Sequence, residues 1–259
     1  MGTTRALAVS AAMAIGLVAC ASDDGRIAEQ PIGPSNEPAA TAPVGAAPLT
    51  PASARPESAP VARQVVLAQP AIWPAPDVVF TTPDEAAADF VTKVLGVAPV
   101  LGEFQRGDSL SGEIEVFSAS EDGTSRLLRG VLFLRQIMPT EGWYVIGAAS
   151  DGITIASPVT LAEVPAGPLD VTGAGRGFET TLNVIAFAAG DADARLDLEI
   201  AAGGAFEQLE PYEATLDLSA ASPGDVVAIL VRGDTGLGTD PGEFAAIPIV
   251  IAQRLPELR

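Results

Sequence analysis

Histidine is absent from the 259 residues of this chain, and cysteine and lysine each occur once, as Cys20 and Lys93. Without histidine the chain lacks the commonest general base and the commonest metal ligand, and every Ser-His or Cys-His arrangement is excluded. A lone cysteine excludes a disulfide framework and a thiol metal cluster. Cationic side chains are scarce as well: 14 Lys and Arg stand against 33 Asp and Glu, for a formal charge of -19. Such a surface repels phosphates and anionic lipid heads, so no nucleic-acid partner is expected. Aromatic residues make up only 5% of the chain, so its cores must rest on Val, Ile, Leu and Ala; an apolar content of 48% is sufficient for that.

The amino-terminal stretch has a pattern of its own. Arg5 is followed by the uncharged run Ala6 to Ala19, which ends Leu17-Val18-Ala19-Cys20. A basic start, a short apolar core and small residues at its end make a secretory signal, and the run is too short to span a bilayer. Leu17 to Cys20 resembles the lipobox of bacterial lipoproteins. That resemblance implies removal of residues 1–19 and lipid on the Cys20 thiol, hence an extracytoplasmic protein anchored to the cell membrane. Myristoylation at Gly2 is not expected, because Ala6 stands where Ser or Thr is required. Residues 20–78 hold the anchor and a Pro- and Ala-rich linker; residues 21–78 carry 11 of the 22 prolines. That composition buries too little apolar surface to offset ordering entropy and is expected to be disordered. Gln64 to Leu67 and Ala71-Ile72-Trp73-Pro74 are more apolar and are expected to dock on the first folded domain.

Residues 79–149 read as that domain, a small α+β unit. Thr82-Pro83-Asp84-Glu85 opens a helix, with Thr82 as cap, Pro83 in the first turn and Glu85 completing a capping box. Ala87, Phe90, Val91, Val94 and Leu95 form its buried stripe, and Gly96 ends it. Three strands are expected at Gly112–Ser118, Ser125–Ile137 and Gly142–Ala148, joined by turns at Asp122-Gly123 and Glu141-Gly142. One helix on a three- or four-stranded antiparallel sheet results. Trp143, Tyr144 and Phe133 are candidates for lining a pocket there, or for its core.

Residues 150–252 read as seven strands, with residues 253–259 as a tail. From Pro168 the pattern is a short strand, a glycine-rich bend at Gly173, Gly175 and Gly177, and a longer strand. In that longer strand Phe178, Thr180, Leu182, Val184 and Ala186 share one face. Asp225 to Val231 is apolar almost throughout, as suits a central strand, and Pro248 predicts an edge or bulge in the last strand. Ile153-Thr154-Ile155-Ala156-Ser157-Pro158, then Pro168 to Gly173, then Gly177-Phe178-Glu179 resemble the Gmad2 family, an immunoglobulin-like domain of bacterial spore-germination proteins and lipoproteins. The resemblance covers about residues 150 to 252. It implies a mainly β protein: an immunoglobulin-like sandwich preceded by the α+β domain and the linker. The role it implies is noncatalytic binding or scaffolding at the cell envelope, toward a protein or cell-wall partner, with no cofactor.

Arg176, Phe178, Glu179, Arg232 and Asp234, in loops expected at the sandwich ends, are the candidate partner-binding residues. Other chemistry has weaker support. Gly173 to Gly177 is followed by a strand, whereas a dinucleotide fingerprint needs a helix. Asp191, Asp193 and Asp197, and separately Asp234, Asp240 and Glu243, offer oxygen ligands without EF-hand spacing, so no metal is expected. Arg106-Gly107-Asp108 and Arg232-Gly233-Asp234 spell a tripeptide short enough to arise by chance. Glu103, Glu113 and Glu115 are the carboxylates a wall-modifying enzyme would need. A carrier of small apolar ligands, using a pocket in the α+β domain, is the other alternative.

Overall fold

A computed structural model describes residues 65–120, 123–205 and 208–253. The expected signal segment, Cys20, the linker up to residue 64, Asp122 of the first hairpin turn and the tail from residue 254 lie outside the described residues. The protein is mainly β, with antiparallel sheets and a single α-helix among the described residues. That helix is not long and apolar enough to cross a membrane.

Helix α1 (Pro83–Lys93) forms where the capping signature places it. The Thr82 hydroxyl accepts from the Glu85 amide at 3.3 Å, and the Glu85 carboxylate accepts from the Thr82 amide at 3.2 Å. Such a cap contributes about 1 kcal/mol. Ala86, Ala87, Phe90 and Val91 face inward, and Phe90 is fully buried, worth about 2 kcal/mol on transfer from water.

The larger sheet has nine strands. Its spine is β1 (Gln105–Arg106), β2 (Ser111–Ala119), β3 (Arg126–Ile137), β4 (Gly142–Ala149), β13 (Phe244–Ile251), β12 (Val226–Gly233), β8 (Thr181–Ala188) and β9 (Arg195–Ala202), in that spatial order. The ninth, β6 (Glu163–Val164), pairs in parallel with the end of β13. The smaller sheet places β7 (Pro168–Gly177) between β5 (Ile153–Ser157) and β11 (Glu210–Asp217), with β10 (Gly204–Ala205) on the far end of β7. Strand β12 explains the layering. Val227, Ile229 and Val231 join a core against Val171, Tyr212, Ala214 and Leu216 of the smaller sheet. Ala228 and Leu230, from the opposite face, join a core that includes Phe90 and Val91 of α1. Side-chain alternation thus divides one apolar strand between two cores, which is why it shows no polar face in sequence.

The stretches 79–149 and 150–252 lie within one compact unit. Phe187, Ala228, Leu230, Phe244 and Ala246 contribute to the same core as the α+β stretch, and β4 meets β13 at Ala148–Ala246. Residues 65–78, counted with the linker, also belong with the fold. Ile72 and Trp73 are buried, the Ile72 amide donates to Val145 O at 2.9 Å, and Val145 N donates to Trp73 O at 2.8 Å. The Trp73 indole N–H donates to Asp89 on α1 at 2.9 Å, so the segment is held by both sheet and helix.

The glycines of β7 require a correction. Gly173 to Gly177 run as extended strand rather than bend. Small size is what these positions need: a Cβ at Gly173 would run into the Thr154 carbonyl, and one at Gly177 into the Thr181 carbonyl. The turn between sheets falls later, at Phe178–Thr180, where Glu179 (φ 51°) and Thr180 (φ 63°) are left-handed. Leu182, Val184 and Ala186 are buried as expected, whereas Phe178 and Thr180 are exposed and precede the strand. Pro248 pairs with Ala228 of β12 inside the larger sheet rather than at its edge, and its carbonyl accepts from Leu161 N at 2.7 Å, between the contacts of β4 and β6.

Candidate functional site

Two loops at one end of the smaller sheet come together. The first is the corner that ends β7, and the second is the loop Gly233 to Glu243 between β12 and β13. Phe178 N donates to Asp234 O at 2.7 Å, Asp234 N to Thr181 O at 3.1 Å, and Gly233 N to Glu243 O at 2.9 Å. The Phe178 ring packs on Gly236 yet stays 38% exposed, and Leu237, next in the loop, is also exposed. The structure therefore brings four of the five candidate residues, Arg176, Phe178, Glu179 and Asp234, to one corner.

Their roles differ. Arg176 meets Glu243 in a two-pronged ion pair, Nε to Oε2 at 2.7 Å and Nη2 to Oε1 at 2.8 Å, which fixes the base of the loop to β7. Arg232 points to the helix side of β12. Its guanidinium donates to Leu95 O at 2.9 Å, to Asp240 O at 3.1 Å and to Pro241 O. Burial pushes its pKa below the ordinary arginine value, opposed by the nearby Asp234 and Asp240. Arg232 therefore works inside the fold, tying the loop to the end of α1. Asp234 accepts from Gly236 N at 2.8 Å, and Glu179 is exposed.

Sequence reading missed a third arginine. Val116 pairs with Gly130 and Phe117 with Leu128, so Arg129 is the extra residue of a bulge in β3. The bulge turns its side chain to Ser118 Oγ at 3.0 Å and to an ion pair with buried Asp240. Asp240 also accepts from Gly242 N at 2.9 Å. Three arginines, from β3, β7 and β12, thus hold one loop. No local signal marks Arg129, because a bulge is set by pairing across strands.

The remaining candidates are dispersed. Asp191 accepts from Asp193 N and Ala194 N in a turn, and Asp197 accepts from Leu198 N and Asp217 N. Among the described residues no three metal-type ligands gather. Asp108 accepts from Leu110 N at 2.7 Å, which with Ser111 draws its pKa below the usual carboxylate range. Glu113 and Glu115 share a face of β2 two residues apart, and Glu103 lies before β1. Tyr144 is fully buried, and Trp143 packs edge-on against Phe104 with centroids 5.2 Å apart, so both are core. Phe133 instead lines a cavity. No protein-family model matches the chain, and no curated protein matches its sequence.

Proposed function

We propose that this chain is a noncatalytic binding protein of the cell envelope, held at a membrane by lipid on Cys20. Residues 150–252 act in this reading as an immunoglobulin-like module of the Gmad2 kind. One observation carries it: an exposed Phe178, on a backbone corner with two consecutive left-handed residues, lies against a loop that three arginines immobilise. Left-handed backbone costs a non-glycine residue about 1 kcal/mol or more, and a preorganised loop loses little entropy when a partner docks. The absence of histidine from the sequence suits a role without acid–base chemistry. The partner is a protein or a cell-wall component that covers Phe178, Glu179, Asp234 and Leu237.

Photo-crosslinking in intact cells tests this, with the reactive residue placed at Phe178 or Leu237 and, as a control, at exposed Met138. Specific adducts at the first two positions support the reading. Adducts equal at all three positions, or only lipid at Phe178 and Leu237, overturn it. The anchor is tested separately: intact mass should show a lipidated Cys20 terminus, and Cys20→Ala should release the chain from membranes.

A further inference from the structure

Away from the loops, a groove of about 430 Å³ runs between β4, β5 and β13. Phe133, Ile146, Ile153, Ile155 and Ile247 contribute its large apolar walls, and none of the lining residues is ionisable, in a chain of formal charge -19. The groove exists because the larger sheet opens there. Strands β4 and β13 share the single pair Ala148–Ala246, and the far end of β13 is taken instead by β6. Across the β3–β4 ladder Phe133 pairs with Gly147 and Leu134 with Val145, which leaves Ile146 as the bulged residue at the groove. Small side chains at Ala148, Ala149 and Ala245 leave the space unfilled.

An independent observation concerns Ser150, which comes directly after β4 and also lines the groove. Its hydroxyl oxygen is buried without a hydrogen-bond partner, and it is the one such side-chain atom among the described residues. A buried hydroxyl left unpaired costs about 1–3 kcal/mol, a cost that a hydrogen bond to a ligand or a water reaching it from the groove would offset.

The geometry points to a binding site for a neutral amphiphile: an alkyl or aryl body against the five large apolar side chains, with one hydrogen-bonding group at Ser150. The volume lies in the range of small-molecule sites. An anion or a cation would lose hydration there and meet no counter-charge, so the lining selects uncharged ligands. This site is separate from the Phe178 corner and does not depend on it.

The test uses the full chain and N-phenyl-1-naphthylamine, a neutral probe that brightens in apolar sites. Saturable emission should be displaced by 1-octanol, and at least tenfold less well by octanoate or octylammonium. Ile155→Glu should abolish probe binding, and Ser150→Ala should weaken octanol about fivefold while the ligand-free protein unfolds at a higher temperature, because the unpaired hydroxyl is gone. Amide shifts on adding octanol should centre on residues 146–155 and 245–247. If Ile155→Glu does not fold, the Ser150→Ala comparison and the shift map decide the matter alone. No saturable binding, equal displacement by octanoate, or shifts centred elsewhere overturns the assignment.

Discussion

Arg129 and Asp240, separated by 111 residues in sequence, form an ion pair that joins a bulge in β3 to the loop beside Phe178. Both side chains are largely shielded, at 18% and 9% exposure. Removing one partner leaves the other charge in a poorly solvated place, which is the costly way to break such a pair. Asp240→Ala is expected to lower stability by about 3 kcal/mol in urea denaturation. The double variant Arg129→Met/Asp240→Ala should lose clearly less than the two single losses together. Additive losses would mean that the pair contributes no coupling.

Thr180 gives an opposite expectation. Its φ of 63° is unfavourable for a β-branched residue. Thr180→Gly should therefore stabilise the protein by about 0.5–1 kcal/mol, strain relief exceeding the extra freedom of the unfolded chain. If the corner is held for presentation, the same change should reduce crosslinking at Phe178. A destabilising Thr180→Gly would show that the Thr180 side chain supplies contacts worth more than the strain.

Trp73 is 5% exposed, and its indole N–H donates to Asp89, which also pairs with Lys93 at 3.0 Å. Trp73→Ala should cost about 3–5 kcal/mol as a large-to-small core change. Trp73→Phe should cost about 1 kcal/mol beyond its lost volume, for the missing donor. A Trp73→Ala loss below about 1 kcal/mol would show that residues 65–78 contribute little to the fold.

Acid should weaken the fold in a defined window. Thr81 and Thr82 hold the Glu85 carboxyl below its usual value by hydrogen bonds, and Ser219 does the same for Asp217, as Leu110 and Ser111 do for Asp108. A carboxylate with a depressed folded pKa contributes stability that is present above its unfolded value and lost as pH falls through the folded one. Stability should therefore begin to fall near about pH 4 and keep falling below it. Glu85→Gln, Asp217→Asn and Asp108→Asn should each flatten that fall. Unchanged slopes in all three would remove these groups from the acid response.

The helix was legible because its signals are local: Thr82, Pro83 and Glu85 lie within one turn of chain. Strands β2, β3 and β4 were legible to within a residue or so, since period-two alternation and turn residues bracket them. Sequence alone puts the two-sheet bend too early, at the glycines, because glycine signals both freedom and close approach, and sequence does not separate the two. At Gly173 and Gly177 close approach is the reason, and strained Glu179 and Thr180 make the turn.

Sequence by itself determined the mainly β composition, the capped helix, the apolar docking of Ile72 and Trp73, and the lack of any histidine chemistry. These rest on residue type and near-neighbour periodicity. Tertiary structure alone decided that residues 79–149 and 150–252 share a core, that Arg129 leaves its ladder for Asp240, that Arg232 turns inward to Leu95, and that Ile146 and Ser150 border an uncharged groove. Each of those depends on strand register between distant segments, and a shift of one residue would send the same side chains to the opposite face.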